Sequence, residues 1–75
     1  MPFKPYPIHI WRQFLQRIGC KRIDTKKHEK WMKDGLLRPI MFSPATKEIP
    51  AMVIKCNLKT LGMTWQEFEN VVASL

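Results

Sequence analysis

His28 is the side chain of this sequence best suited to proton transfer, and it stands in the basic stretch Lys26-Lys27-His28-Glu29-Lys30. Histidine has an ordinary pKa near neutrality, so the ring both accepts and releases a proton under working conditions. Lysines around it attract a polyanion such as RNA. A proton-transfer group inside a phosphate-attracting patch is what metal-free RNA cleavage requires. The alternative is a solvated surface histidine without a chemical role.

Cleavage of RNA without a metal needs a base for the 2′-hydroxyl, an acid for the departing 5′-oxygen and positive charge beside the phosphate. His28 is expected to fill one of the two proton-transfer roles, and the sequence offers no obvious second proton carrier. Lys30 projects from the same side of an extended segment and is expected to stabilise the phosphate. The predicted RNA-binding residues are Arg22, Lys26, Lys27, Lys30 and Arg38.

The distribution of charge also favours a polyanionic partner. The chain carries 13 basic and 6 acidic residues, for a net charge of +7. Most of the basic residues are concentrated in one stretch: Arg17, Lys21, Arg22, Lys26, Lys27, Lys30, Lys33 and Arg38. This concentration favours a nucleic-acid surface or an acidic protein partner over a basic protein without a charged ligand.

The other reactive residue types predict neither a metal nor a cofactor. His9, Cys20, His28 and Cys56 share no ligand spacing, and no paired acidic cluster is available for magnesium. Cys20 and Cys56 both fall in apolar patterns and are expected to be buried free thiols in a reducing cytosol. No apolar run approaches the ~20 residues of a membrane span, and no signal peptide is recognisable. A cytoplasmic protein with no membrane partner is expected.

Apolar spacing predicts three helices. Apolar residues recur at helical intervals over residues 8–18, and Gly19 follows in the position of a left-handed C-terminal residue. A second stripe predicts a helix over about residues 50–61. Thr64 and Glu67 have the spacing of a capping box, which predicts the start of a third helix.

The middle of the chain changes to an extended pattern, with strands predicted over 20–25, 28–33 and 36–42. Asp34-Gly35 is typical of a two-residue hairpin, and Pro39 places the third strand at a sheet edge. Alternation over 28–33 puts His28, Lys30 and Met32 on one face and Glu29, Trp31 and Lys33 on the other. The three tryptophans, Trp11, Trp31 and Trp65, are assigned to the core.

The predicted fold is therefore α+β, one domain over residues 1–75 with an extended lead-in at 1–7. Its order is α-β-β-β-α-α, with helices on one face of a three-stranded antiparallel sheet. This order is similar to that of double-stranded-RNA-binding domains, although topology alone does not assign function.

Five segments of the chain also have the order and spacing of a known family. They are Phe14–Cys20, His28–Trp31, Leu37–Ile40, Lys47–Pro50 and Leu58–Phe68. The first is similar to a Leu-x-x-x-Gly-Phe helix end, the second to a strand that bears a histidine, and the third to an Arg-Pro-(Val/Ile) strand. Over about residues 14–72 the chain resembles the HicA-type (YcfA-like) toxins of bacterial toxin–antitoxin pairs, which are small ribonucleases that cleave messenger RNA.

The resemblance implies a metal-independent endoribonuclease in which His28 is the catalytic histidine. It also implies a cognate HicB-type antitoxin that binds and suppresses the toxin, in a homo- or hetero-oligomer. In that family Gly-Ser or Gly-Thr usually precedes the histidine, and this chain has Lys26-Lys27 there. Ala51-Met52-Val53 stands where a Gly-Thr pair usually opens the next helix. A catalytically inactive RNA-binding member of the same fold therefore stays open as an alternative.

Three further functions stay open from the sequence. A double-stranded-RNA-binding module predicts salt-sensitive binding to duplex RNA without turnover. A small winged-helix DNA-binding protein would need a basic recognition helix, and the helix at 50–61 offers only Lys55, Asn57 and Lys59. A protein-only adaptor would use an exposed sheet face but leaves the clustered charge unexplained.

Overall fold

The computed structural model describes residues 3–24 and 26–75, and within them the three predicted helices and the three predicted strands occur in the predicted order. The elements are β1 (Tyr6–Pro7), α1 (Ile8–Arg17), β2 (Lys21–Asp24), β3 (Glu29–Met32), β4 (Ile40–Phe42), β5 (Glu48–Ile49), α2 (Ala51–Leu61) and α3 (Trp65–Ala73). Strands β2, β3 and β4 form an antiparallel meander in that spatial order. The predicted α+β class with a three-stranded antiparallel sheet is confirmed.

Glycine ends α1 as its sequence position predicts. Gly19 has a φ of +94°, a conformation that side chains with a Cβ rarely adopt. Its N–H donates to the carbonyl of Gln16 at 3.1 Å, and the N–H of Cys20 donates to the carbonyl of Leu15 at 2.9 Å. This pair of bonds is a Schellman motif, which satisfies the last carbonyls of the helix and turns the chain directly into β2.

The start of α3 is also as predicted. The Thr64 hydroxyl accepts a hydrogen bond from the N–H of Glu67 at 3.1 Å. The Glu67 carboxylate accepts one from the N–H of Thr64 at 2.9 Å. The predicted capping box is confirmed, and it satisfies two amide groups that have no partner within the helix.

The core lies between the helices and the inner face of the meander. Trp11 and Phe14 stack with ring centroids 5.2 Å apart, and Phe68 meets Phe14 edge to face at 4.8 Å. Trp31 is 3 % exposed and Trp65 is 9 % exposed, so all three tryptophans belong to the core as predicted. The buried apolar side chains are Trp11, Phe14, Leu15, Cys20, Trp31, Ile40, Phe42, Ile49, Ile54, Leu58, Trp65 and Phe68.

Two local predictions differ from the structure. The strand predicted over 36–42 is only Ile40–Phe42, and Asp34-Gly35 forms a turn within a longer connection rather than a two-residue hairpin. The register explains this, because Trp31 pairs with Ile40 and leaves residues 33–39 to join the strands. Of the strand predicted over 20–25, Thr25 lies outside the described residues, as do Met1 and Pro2 of the lead-in.

Tyr6–Pro7, directly before α1, forms a strand that the sequence did not indicate. Tyr6 pairs with Ile49 and Pro7 with Glu48, so β1 and β5 form a second, two-stranded antiparallel sheet. The N–H of Ile8 also donates to the carbonyl of Lys47 at 3.0 Å. Two-residue strands carry too short an alternation to be recognised in a sequence, and this ribbon was missed.

The prediction that Cys56 is buried is wrong. Cys20 is buried, but Cys56 is exposed on α2. The buried stripe of α2 consists of Ile54, Asn57 and Leu58, which leaves Cys56 on the outer side of the helix. None of the helices among the described residues is both long and apolar enough to cross a bilayer.

Candidate nucleic-acid interface

His28 lies in an exposed bend that leads into β3. It directly precedes Glu29, the first residue of that strand, and its side chain is exposed together with those of Lys26 and Lys27. Among the described residues only glycines have a positive φ, so Lys26-Lys27 form this bend with ordinary backbone angles. The structure therefore brings the predicted proton carrier and two predicted RNA-binding lysines to one open surface.

The pleat of β3 divides its residues between two different environments. Glu29 and Trp31 are buried, whereas Lys30 and Met32 are partly exposed. The alternation predicted for these four residues is confirmed. Because His28 precedes the first paired residue, the pleat alone does not fix the direction of its ring.

The register fixes the neighbours of the outward-facing residues. Lys30 is paired with Met41 of β4 and with Asp24 of β2, and Met32 is paired with Lys21 of β2. Paired residues of antiparallel strands direct their side chains to the same face. We use the name outer face for four of the residues on this side of the sheet: Lys21, Lys30, Met32 and Met41.

A buried carboxylate lies on the inner side, directly after His28 in the chain. Glu29 is 1 % exposed and accepts hydrogen bonds from Nε and Nη2 of Arg12, at 3.0 and 2.7 Å. It also accepts one from Nε1 of Trp31 at 2.7 Å, and Nη1 of Arg22 lies 3.9 Å away. The bidentate contact with Arg12 ties α1 to the first residue of β3.

Burial raises the pKa of Glu29, but the hydrogen bonds from Arg12 and Trp31 and the charges of Arg12 and Arg22 outweigh that effect. The pKa of this carboxyl therefore lies below its ordinary value. The hydrogen bonds between Arg12 and Glu29 also raise the pKa of Arg12, although burial alone would lower it. Glu29 is thus held as a carboxylate with its oxygens occupied, and it does not supply the second proton carrier that RNA cleavage needs.

The predicted RNA-binding residues do not all lie together. Lys26, Lys27 and Lys30 lie at or beside the His28 bend. Arg22 is paired with Trp31, so it lies on the inner side of the sheet, with its side chain 52 % exposed.

Arg38 lies at the opposite end of the sheet from His28. It precedes Ile40, which pairs with Trp31, whereas His28 adjoins the pair of Glu29 and Phe42. Arg38 borders a groove of about 580 Å³ between α2 and the connection before β4, lined by Gly35, Leu37, Arg38, Cys56, Lys59 and Thr60. Contacts of Arg22 and Arg38 with RNA stay predictions. Arg38 does not belong to the surface around His28, and Arg22 reaches Glu29 from the inner side of the sheet.

Arg12 and Glu29 are the residues near this site that the sequence analysis missed. The sequence did contain a usable signal. The alternation that assigned Trp31 to the core also assigned Glu29 to the same side, and a buried carboxylate requires a cationic partner. Only the packing of α1 on the sheet identifies that partner as Arg12.

No group of three or more His, Cys, Asp or Glu side chains within residues 3–24 and 26–75 is arranged to hold a metal ion. No family model, no curated protein and no solved structure matches this chain. The similarity of the element order to double-stranded-RNA-binding domains, like the resemblance to HicA-type toxins, therefore stays a prediction.

Proposed function

We propose that this protein is a HicA-type toxin, a cytoplasmic endoribonuclease that cleaves messenger RNA without a metal ion and uses His28 for proton transfer. The observation that carries the proposal is the exposed histidine in a bend with two exposed lysines, at the end of a strand that presents a third lysine. A long polyanion reaches such an open surface without an enclosed pocket.

The chemistry assigned to His28 is the movement of one proton. The 2′-oxygen attacks the phosphorus and the bond to the 5′-oxygen breaks, which leaves a 2′,3′-cyclic phosphate and a 5′-hydroxyl. The imidazole either accepts the proton of the 2′-hydroxyl or donates one to the departing 5′-oxygen. The ammonium groups of Lys26, Lys27 and Lys30 supply positive charge beside the phosphate.

On the inner side of the sheet, the contact between Arg12 and Glu29 helps to position His28. The two bonds at 3.0 and 2.7 Å hold the first residue of β3 against α1. Glu29 directly follows His28, so this anchor restricts where the exposed bend ends and β3 begins. Arg12 and Glu29 are positioning residues in this proposal, since neither is placed to touch the reacting atoms.

The direct test is cleavage of a single-stranded RNA by the purified protein in EDTA. His28→Ala is expected to lower the rate at least about a hundredfold, the lower end of what acid–base groups contribute. His9→Ala is the matched control, because His9 is also exposed and lies on α1. Equal rates for wild type and His28→Ala, or a strict magnesium requirement, would rule out the mechanism.

The second candidate function is a catalytically inactive RNA-binding module of the same fold. It is favoured by Lys26-Lys27, which stand where the family resemblance expects a glycine and a hydroxyl residue. Under this alternative the wild type binds RNA with strong salt dependence and leaves it intact. A cognate HicB-type antitoxin belongs to the first proposal, and its expected effect is to suppress cleavage when mixed with the toxin.

A further inference from the structure

The two sides of the meander differ in what covers them. Glu29, Trp31, Ile40 and Phe42 are buried under the helices. On the outer face Lys30 and Met32 are only partly buried, Lys21 is exposed and Met41 is 41 % exposed. Within the described residues, this is the side of the sheet that the protein leaves open to solvent.

The outer face combines positive charge with apolar surface. Lys30 lies across from Met41 of β4 and from Asp24 of β2, and Lys21 lies across from Met32, so that each cation has a methionine beside it. Ile23, which is 59 % exposed, adds apolar surface at the β2 side. A groove of about 250 Å³ runs there, lined by Lys21, Ile23, Met32, Lys33 and Asp34.

This combination matches the chemistry of single-stranded RNA. Surfaces that bind single strands pair cations for the phosphates with aromatic side chains on which unstacked bases stack, and on the outer face methionines take the place of the aromatic side chains. In a duplex the base faces are stacked inside, so a duplex on this surface would set two methionines against a charged backbone. Methionine is polarizable and adapts its shape, which suits contact with any base.

We propose that the outer face of the sheet, formed by Lys21, Lys30, Met32 and Met41, binds single-stranded RNA and leads it to the His28 bend. This inference deepens the proposed function by assigning the surface that holds the substrate. Lys30 of β3 is only two positions after His28 in the chain. An RNA strand bound by Lys30 is therefore close to the proton carrier. Selectivity for single strands follows from the methionines, and affinity follows from the lysines.

Binding is measured in a His28→Ala background, so that the RNA stays intact. The probe is a fluorescein-labelled oligoribonucleotide of about 12 nucleotides, within the range that single-strand sites cover, and its anisotropy is compared with that of the same oligonucleotide annealed to its complement. The single strand is expected to bind more tightly than the duplex. Tighter binding of the duplex would overturn the proposal, as would no detectable binding of either RNA.

The key variant is Met41→Glu, which places a negative charge on the outer face at a side chain that is 41 % exposed. Met52→Glu is its matched control, because Met52 is 72 % exposed on α2 and lies off the outer face. Met41→Glu is expected to weaken binding of the single strand at least about tenfold, since it repels the phosphates as well as removing apolar contact. Equal weakening by both variants would overturn the proposal, and thermal unfolding of each variant verifies that it is folded.

The lysines are tested by single substitutions that each remove one charge. Lys21→Ala and Lys30→Ala are each expected to weaken binding about fivefold at 0.1 M salt and to reduce the slope of log K against log salt by about 0.7, as loss of one phosphate contact predicts. Lys47→Ala removes the same charge from an exposed side chain in the loop before β5 and is expected to change the affinity less than twofold. A Lys47→Ala effect as large as the others would mean that net charge alone attracts the RNA.

Cleavage by the wild type separates this inference from the proposed function. If the wild type does not cleave RNA but Met41→Glu still loses single-strand binding, the outer face is supported and the catalytic proposal fails. If the wild type cleaves and Met41→Glu binds and cleaves equally well, the catalytic proposal stands and the outer face is not the substrate surface.

Discussion

The two sides of β3 place charged residues only one position apart in opposite environments. Glu29, on the inner side, is 1 % exposed and has donors at 2.7, 2.7 and 3.0 Å. Lys30, on the outer side, is partly exposed beside a methionine. A charge removed from water needs partners within the protein, whereas a charge in water is free to meet a ligand. The inner charges therefore stabilise the fold, and the outer charges are the ones that the proposed function assigns to binding.

The largest effect on stability is expected from removing the inner carboxylate. Glu29→Ala leaves the guanidinium of Arg12 and the indole N–H of Trp31 without their shared acceptor. Breaking a buried ion pair by removing one partner costs about 3–5 kcal/mol of the free energy of unfolding, and we expect about 3 kcal/mol here because the side chain of Arg12 is 34 % exposed. Urea unfolding of the variant and the wild type measures this loss of stability. Lys30→Ala, one residue away, is the control and is expected to change stability by less than about 0.5 kcal/mol; similar losses in both variants would contradict the comparison.

Part of the stability that the Glu29 carboxylate contributes is expected to depend on pH. The pKa of Glu29 is lower in the folded protein than its ordinary value of 4.5, so the unfolded chain takes up this proton first as the pH falls. Its contribution to stability is therefore complete above about pH 4.5 and is lost as the pH falls through the pKa of the folded state.

Urea unfolding between pH 6 and pH 3 tests this sign for wild type and Glu29→Gln. The variant is expected to be less stable at pH 6 and to lose less stability on acidification. Glu48→Gln, at an exposed glutamate, is the matched control and should follow the wild type. A wild-type stability that rises as the pH falls would show that the assigned direction is incorrect.

An intermediate effect on stability is expected at the edge of the sheet. There a polar side chain of α2 forms hydrogen bonds with the backbone of β4, as a neighbouring strand would. Asn57 donates from Nδ2 to the carbonyl of Met41 at 3.0 Å and accepts at Oδ1 from its N–H at 3.3 Å. Asn57→Ala leaves these groups without partners and is expected to cost about 1–3 kcal/mol. The amide hydrogen of Met41 should exchange with solvent faster in this variant than in the wild type. Gln66→Ala, which removes a bond between two exposed side chains, should leave both properties unchanged.

The smallest effect on stability is expected from substitution of a thiol. The two thiols differ in burial in the same way as Glu29 and Lys30 do. Burial raises the pKa of Cys20, against an opposing effect of Lys33, whereas Cys56 is exposed. A thiol-specific reagent is therefore expected to modify Cys56 quickly in the folded protein and Cys20 only after unfolding. Cys56→Ser should remove the fast reaction and leave the free energy of unfolding within about 0.5 kcal/mol. Fast modification that persists in this variant would show that Cys20 is accessible.

The parts of the fold that were predicted correctly depend on interactions between neighbours in the sequence. Gly19 after an apolar helical stripe, and Thr64 three residues before Glu67, each specify a helix end through backbone bonds that need no distant partner. The ribbon of Tyr6–Pro7 with Glu48–Ile49 was missed because it joins two short segments far apart in the chain. The exposure of Cys56 was mispredicted because the choice of a helix face depends on what packs against it.

For the candidate site, the sequence by itself determined the composition of one stretch: a histidine among lysines, followed by an alternation that sends Glu29 and Trp31 to one side and Lys30 and Met32 to the other. Alternation in a strand is a local property of the backbone, so it can be deduced without knowing the neighbours. Only the tertiary structure decided that Arg12 from α1 neutralises Glu29, that Arg22 lies on the inner side and Arg38 at the far end, and that Met41 completes the outer face. Those arrangements depend on strand register and helix packing, which are set by the whole core rather than by any one segment.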